Sequence, residues 1–328
     1  MRAVVLGAAG HIGAHVVRAL QAEGHTVRAI YRNPRYLGVL DGLDLERIQA
    51  DLENEAALIR AVEGAEWVFH AAGFYPPARI GRPAAVRKGI ESTRRILEAV
   101  TRTDPRRVVF TSSAATIRAI PDRSADESDA EPWPLIRWRN LYSTVKIAME
   151  QEALKAARAG LPVVIVNPSL CLGEYDARCF SGRALLAFAK HRVPCYTETT
   201  FNAVYTGDVG MGHLRAAERG RLGERYLLTG ENIRLKEFAD IVCVEMGLPS
   251  PRWRIPFAVA MASAIGVELA ARIFRTDPLF TREEVRRVRR GYLLDGSKAV
   301  KELGVPQTPV KEAVRRAVGW FRKEGILS

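Results

Sequence analysis

Between Ala3 and Val166, short apolar runs rich in β-branched residues alternate with longer segments whose apolar residues recur at helical spacing. The runs are Ala3–Leu6, Thr26–Ile30, Trp67–His70, Arg107–Thr111 and Val163–Val166. The segments between them include Ile12–Glu23, Glu55–Val62, Gly89–Thr101 and Tyr142–Ala159, each long enough to cover one face of a sheet. A strand that passes through a helix into a second strand of the same sheet runs parallel to it, through a right-handed crossover. The pattern therefore predicts an α/β chain built on a doubly wound parallel sheet.

The first crossover carries a glycine turn. Gly7-Ala8-Ala9-Gly10-His11-Ile12-Gly13 lies between a strand and a helix, the context that makes it a dinucleotide-binding signal of the Rossmann type. Gly7 permits the sharp turn, Gly10 lets a pyrophosphate approach the backbone, and Gly13 lets the helix pack against the strand. The anion then rests on the helix N-terminus, where free amides and the helix dipole favour negative charge.

The second strand predicts which dinucleotide. An NAD enzyme usually places a carboxylate there for the ribose 2′-hydroxyl, whereas this sequence reads Arg28-Ala-Ile-Tyr31-Arg32-Asn33-Pro34-Arg35. No acid stands in that stretch. Arg32, supported by Arg35, offers a guanidinium fork for a 2′-phosphate, so NADP(H) is expected over NAD(H), the second candidate.

Tyr142-Ser-Thr-Val-Lys146 opens the helix that precedes the fifth run, and a four-residue step puts the phenol and the ammonium on one helical face. The ammonium favours the phenolate form and so readies Tyr142 for proton transfer, and Lys146 can also hold the nicotinamide ribose. Thr111-Ser112-Ser113-Ala114 ends the fourth run at its carboxyl end, where ligands of open α/β sheets bind. Ser113 is placed to hydrogen-bond the reacting oxygen.

With these motifs in this order, the chain resembles the extended short-chain dehydrogenase/reductases, the NAD-dependent epimerase/dehydratase family, over nearly its whole length. The resemblance implies that Asp51-Leu52 lie near adenine, that His70-Ala71-Ala72 lie beside the nicotinamide half, and that the backbone of Asn167-Pro168-Ser169 meets the carboxamide. Ser113, Tyr142 and Lys146 match the family's catalytic triad. Asp295-Gly-Ser-Lys298 with Glu302-Leu-Gly304 resembles its characteristic ending. Thr-Ser-Ser-Ala, Val-Ile-Val-Asn-Pro-Ser and Gly-Glu-Arg-Tyr-Leu-Leu-Thr-Gly-Glu-Asn resemble most the dihydroflavonol-4-reductase-like branch, which includes hopanoid-associated sugar epimerases. A homodimer through Gly89–Val100 and the tyrosine helix is a further implication. Two departures stand out. The usual Asn-x-x-Gly-Thr reads Gly89-Ile-Glu-Ser92-Thr93, and the arginine that holds a nucleotide-sugar diphosphate is replaced by Thr200-Phe201-Asn202.

After Pro168 the alternation gives way to longer helices, Arg183–Lys190, Leu235–Met246, Phe257–Phe274 and Val310–Phe321. This predicts a smaller, mostly helical C-terminal substrate domain. Residues 1–168 plus 203–230 would bind the dinucleotide, and 169–202 plus 231–328 the substrate, with Ala203–Val209 returning to the sheet. The stretch Pro121–Pro134 reads as a long surface loop. Phe74, Tyr75, Trp133 and Trp138 are candidates for an apolar lining.

Charge and cysteine usage exclude other classes. The net +12 is spread from Arg2 to Arg322, and its one dense run, Arg286, Arg287, Arg289 and Arg290, fits an ordinary amphipathic helix, so nucleic acid is not an expected partner. Cys171, Cys179, Cys195 and Cys243 show no paired spacing, so reduced thiols and no metal site are expected. The start, Met1-Arg2-Ala3-Val4-Val5-Leu6, runs into the glycine turn without a secretory signal pattern, which points to a cytoplasmic location. Ile255–Phe274 approaches membrane-spanning length but contains Glu268 and Arg272, and reads as a buried helix rather than a membrane span.

The expected activity is reduction of a small-molecule ketone or aldehyde, or oxidation of a secondary alcohol. A nucleotide-sugar epimerase or dehydratase with tightly bound NAD is the alternative. A non-catalytic dinucleotide sensor is disfavoured because Ser113, Tyr142 and Lys146 are all present.

Overall fold

The residues described by the computed structural model are 1–77, 80–131, 140–180, 182, 185–186, 195–274, 282, 285 and 291–327. Strands β1 (Arg2–Leu6), β2 (Thr26–Tyr31), β3 (Glu46–Gln49), β4 (Trp67–His70), β5 (Arg107–Thr111), β6 (Val163–Pro168) and β10 (Arg225–Leu228) form one parallel sheet in the order β10-β6-β5-β4-β1-β2-β3. The winding reverses between β1 and β4, and ligands of such sheets bind outside the carboxyl ends of the strands at that reversal.

Side-chain alternation along β1 divides the core. Ala3 and Val5 pack with Val16, Val17 and Leu20 of α1 (His11–Ala22) and with Leu214 of α5 (Thr206–Arg219). Val4 and Leu6 face the other layer, built from Leu58 of α2 (Glu55–Val62), Ile96 of α3 (Arg82–Thr101), and Val145 and Met149 of α4 (Leu141–Arg158). These β1 side chains are fully buried, as a sheet covered on both faces requires.

The remaining chain builds a second layer of elements. β9 (Thr200–Tyr205) runs parallel to β7 (Leu170–Leu172) and antiparallel to β11 (Glu231–Arg234), and β8 (Cys195–Tyr196) pairs with β12 (Trp253–Arg254). α6 (Leu235–Met246) and α9 (Val310–Lys323) pack on the three-stranded sheet through Phe238, Val242, Val314 and Phe321. α8 (Ser297–Leu303) lies against α5 and β10.

The expected return of Ala203–Val209 to the main sheet is corrected. Residues 203–205 belong to β9 in the small sheet, and the chain is helical from Thr206. The added main-sheet strand is instead β10. An apolar run so short, ending in Asp208 within the first turn of a helix, fits a strand terminus followed by a favourable helix start.

The expected burial of Ile255–Phe274 is also corrected. The segment forms α7 (Phe257–Phe274), but what it buries fully are small residues, Ala260, Ala264 and Ala271, while Val259, Ile265, Leu269 and Ile273 turn out. Among the described residues no helix is long and apolar enough to cross a membrane.

The loop expected at Pro121–Pro134 is tied down over its described part. Arg123 donates to both carboxylate oxygens of Asp129 at 2.7 and 2.6 Å, and Ala125 exchanges backbone hydrogen bonds with Leu293 and Asp295. Trp133, Trp138 and the run Arg286–Arg290 lie outside the described residues, as does Arg183–Lys190 apart from Leu185 and Leu186.

Candidate active site

The glycine turn after β1 is built by packing that excludes side chains. Gly7 has φ +85°, and a Cβ on it would lie 2.9 Å from the Ala72 backbone. A Cβ on Gly13 would lie 2.2 Å from the Gly7 carbonyl oxygen. The amides of Gly7 and Ala8 both donate to the Ile30 carbonyl, at 2.9 and 3.0 Å, fastening the turn to β2. No side chain caps α1 and no acid stands in its first turn, so its N-terminal amides face the cleft without a competing carboxylate. These features fit a pyrophosphate. Behind them the His11 ring meets the Thr206 hydroxyl at 2.9 Å, and burial pushes its imidazole down to about 3.

The turn opens into a cleft of about 2200 Å³, larger than a single small ligand requires. Of the predicted cofactor residues, Gly7, Gly10, His11, Ile12, Arg32, Asp51, Leu52, Ala71, Ala72, Pro168 and Ser169 line it. Arg32 is exposed at its β2 end, where the Asn33 side chain accepts from the Arg35 amide at 3.0 Å and Gln49 donates to the Arg32 carbonyl at 3.2 Å. Asp51 is turned locally, its carboxylate accepting the Glu53 amide at 3.1 Å. Arg178 also borders the cleft and sits 4.7 Å over the Tyr36 ring.

Four expected cofactor residues, Gly13, His70, Lys146 and Asn167, are not on the wall. Gly13 works behind it as packing. His70 is 1% exposed, stacked on Phe110 at 4.9 Å, with burial pushing its imidazole down to about 4 and neither ring nitrogen meeting a protein partner. Asn167 is fully buried, and its amide nitrogen is shared among the Ser113 carbonyl, Thr116 and Glu150. Ser169, by contrast, lines the cleft, and its buried hydroxyl has no protein partner.

Tyr142 and Ser113 border the same cleft. Asn140 starts α4 by accepting the Ser143 amide at 2.7 Å, which brings Tyr142 into the first turn. Lys146 stands one turn on, 3% exposed, with its ammonium 5.9 Å from the Tyr142 ring centroid and 5.4 Å from that of Tyr75. Gly73 makes room for it, since a Cβ there would lie 2.7 Å from the Lys146 Nζ. Ser113 Oγ accepts from the Ala115 amide at 3.2 Å, which orients the hydroxyl at the end of β5. Tyr75 stacks on Tyr142 at 5.4 Å and on Phe180 at 4.8 Å, forming a three-ring column. The neighbouring Tyr142 pushes the Tyr75 phenol up, so Tyr75 keeps its proton.

Glu150 is a buried acid beside the site that motif reading missed. It is 2% exposed and two turns beyond Tyr142 on the same helix. Its carboxylate accepts from Ser112 at 2.5 Å, Thr116 at 3.0 Å, Asn167 at 2.6 Å and Arg225 at 2.6 Å. One buried acid thus joins the tyrosine helix to the ends of β5, β6 and β10. The i, i+4, i+8 series Tyr142, Lys146, Glu150 was its sequence signal.

The glycine that replaces the usual asparagine also has a packing reason. A Cβ on Gly89 would lie 3.0 Å from Val145 Cγ1 and 3.3 Å from Met149 Cγ, so α3 and α4 approach too closely for a larger residue. Among the described residues there is no cluster of metal-ligating side chains, and all four cysteines are free thiols.

The profile of the NAD dependent epimerase/dehydratase family matches residues 3–228. A protein of Synechocystis sp. carrying the name dihydroflavonol 4-reductase is 34% identical over 329 positions, covering 98% of this chain and 95% of its own. Sterol demethylase protein B of Methylococcus capsulatus is 33% identical over 334 positions, covering 100% of both. Among solved structures, a nucleoside-diphosphate-sugar epimerase from Pseudomonas aeruginosa superposes with a TM-score of 0.80 at 28% identity, covering 100% of this chain and 99% of the other.

Proposed function

The chain belongs to the NAD dependent epimerase/dehydratase family and is an NAD(P)-dependent short-chain dehydrogenase/reductase; from this we propose that it reduces a ketone or aldehyde, or oxidises a secondary alcohol, using NADP(H). The observation that carries the proposal is the buried Lys146 ammonium beside Tyr142, which itself borders the cleft that the glycine turn opens. When bound, the nicotinamide supplies or accepts the hydride. The Tyr142 phenol then gives its proton to the substrate oxygen, and the Ser113 hydroxyl orients that oxygen by hydrogen bonding. Lys146 stabilises the phenolate left behind. The column of Phe180, Tyr75 and Tyr142 gives the cleft an aromatic wall beside the proton donor.

The NADP(H) preference is supported by Arg32 on the cleft wall and by a second strand whose end carries no acid. The substrate is assigned to the part formed by residues 169–202 and 231–328, which contributes Thr200, Phe201, Phe238 and Tyr292 to the cleft, and the cofactor to residues 1–168 with 203–230. The outer faces of α3 and α4 are the proposed homodimer contact.

A nucleotide-sugar epimerase with tightly bound NAD is the second reading, favoured by the likeness to the Pseudomonas epimerase. Thr200-Phe201-Asn202 on the cleft wall offers no cation for a diphosphate, which weighs against it. A panel of carbonyls and nucleotide sugars with NADPH and NADH, read by nicotinamide absorbance, tests both. Net NADPH consumption on carbonyls is expected. Turnover confined to nucleotide sugars, with no net change in the nicotinamide, would refute the reductase proposal.

A further inference from the structure

Among the described residues, helix α7 turns an apolar face to solvent. Val259 and Ile265 are each 48% exposed, Leu269 57% and Ile273 67%, and the helical repeat places all four on the side opposite the buried Ala260, Ala264 and Ala271. The other exposed positions described on that side are alanines, Gly266 and Ser263. Ser263 donates its hydroxyl to the Val259 carbonyl at 2.9 Å, so even this polar group is turned onto the helix. The face runs along an 18-residue helix, about 27 Å. A contiguous apolar surface of this kind marks a docking site rather than ordinary scattered exposure.

Three observations choose its occupant. Trp253, 67% exposed, and the exposed Arg252 and Arg254 precede the helix, with Arg254 paired to Glu198 at 3.3 Å. In sequence, residues 251–290 hold nine arginines against four acids, a net +5 of the chain's +12. The first turn of α7 is continuous with the cleft, whose wall includes Phe257 and Met261. An apolar helical face preceded by an exposed tryptophan and the exposed Arg252 and Arg254, in an arginine-rich stretch of sequence, matches the chemistry of an anionic bilayer surface, where apolar side chains enter the headgroup boundary and cations meet lipid phosphates.

We propose that α7 seats the protein on an anionic phospholipid surface, with the cleft mouth opening beside the bilayer. The substrate class this favours is an apolar carbonyl or alcohol dissolved in that bilayer, which reaches the cleft past Phe257 and Met261. The substrate class rests on the reductase reading; the docking does not.

Flotation of the full chain with vesicles of phosphatidylglycerol and phosphatidylcholine, and with phosphatidylcholine alone, tests the docking. Wild type is expected to float with the anionic vesicles and to be released by salt. The double variant Ile265→Glu, Leu269→Glu should lose at least about tenfold in vesicle affinity while its NADPH affinity and melting midpoint stay unchanged, because both residues are already exposed. Wild type left unbound by anionic vesicles would overturn the proposal, as would a double variant that floats equally well. If vesicles bind neither form and the double variant alone loses a dimer in light scattering, the face belongs to a second copy of the chain. Turnover of a water-soluble ketone by the same preparations tests the reductase reading separately.

Discussion

The Arg225 guanidinium donates at 2.6 Å to the carboxylate of Glu150, which is itself 2% exposed on the tyrosine helix. Removing one partner of a buried pair leaves the other uncompensated. Glu150→Ala is expected to destabilise the fold by about 3 kcal/mol, and Glu150→Gln by less than half of that, because an amide still accepts from Ser112 and Thr116. Urea unfolding measures both, and equal losses would show that the charge is irrelevant.

Tyr142→Phe keeps the ring that stacks on Tyr75 and deletes the proton. Its kcat should fall by about 10²- to 10⁴-fold with NADPH affinity within about threefold of wild type. Turnover near the wild-type rate would remove Tyr142 from the chemistry.

Gly73→Ala probes Lys146 without touching it. The new Cβ meets only the far end of a lysine, so the fold should lose less than about 1 kcal/mol, yet the ammonium must leave its place beside Tyr142. A fall in kcat/KM of at least about tenfold is expected from the same preparation. An unchanged kcat/KM would mean that the position of the ammonium does not matter.

Arg32→Ala separates the two nicotinamides. Loss of a charge-assisted contact to a 2′-phosphate should weaken NADPH by about tenfold or more and leave NADH unchanged. Equal affinities for both cofactors in wild type would reassign the preference to NAD(H).

Acid should weaken the fold through its histidines. Burial pushes His11 down to about 3, His70 and His213 to about 4, and His15 well below the usual 6.5. The folded state refuses protons that the unfolded state accepts, so stability is intact above pH 6.5 and falls as pH drops toward 4. At pH 5.5 His11, His70 and His213 each cost about 1.4 kcal/mol, about 4 kcal/mol for the three, and His15 adds to the loss in the same direction. Unfolding free energies that agree at pH 7.5 and 5.5 would contradict their burial in the neutral form.

The main sheet was legible where strands are buried on both faces. Trp67–His70 and Arg107–Thr111 have the expected bounds because every position but the first of the latter is buried, so each residue carries the apolar signal. β3, Glu46-Arg-Ile-Gln, is an edge strand with one apolar residue and leaves no such trace. Tyr142, Lys146 and Ser113 could be found because local spacing fixes them. Glu150 was hidden because its partners, Ser112, Thr116, Asn167 and Arg225, meet only in three dimensions. α7 misled because periodicity reports which side chains are apolar and not whether another element covers them.

The cleft draws its wall from both ends of the chain, from Gly7 in the first crossover to Tyr292 beside β9. A dinucleotide held by Gly7, Arg32, Asp51 and Pro168 would clamp together segments remote in sequence, with no counterpart in the denatured chain. At a hundredfold excess over its dissociation constant it adds about 2.7 kcal/mol to the unfolding free energy. A simple melting scan with each nicotinamide thus ranks the cofactors before any substrate is known.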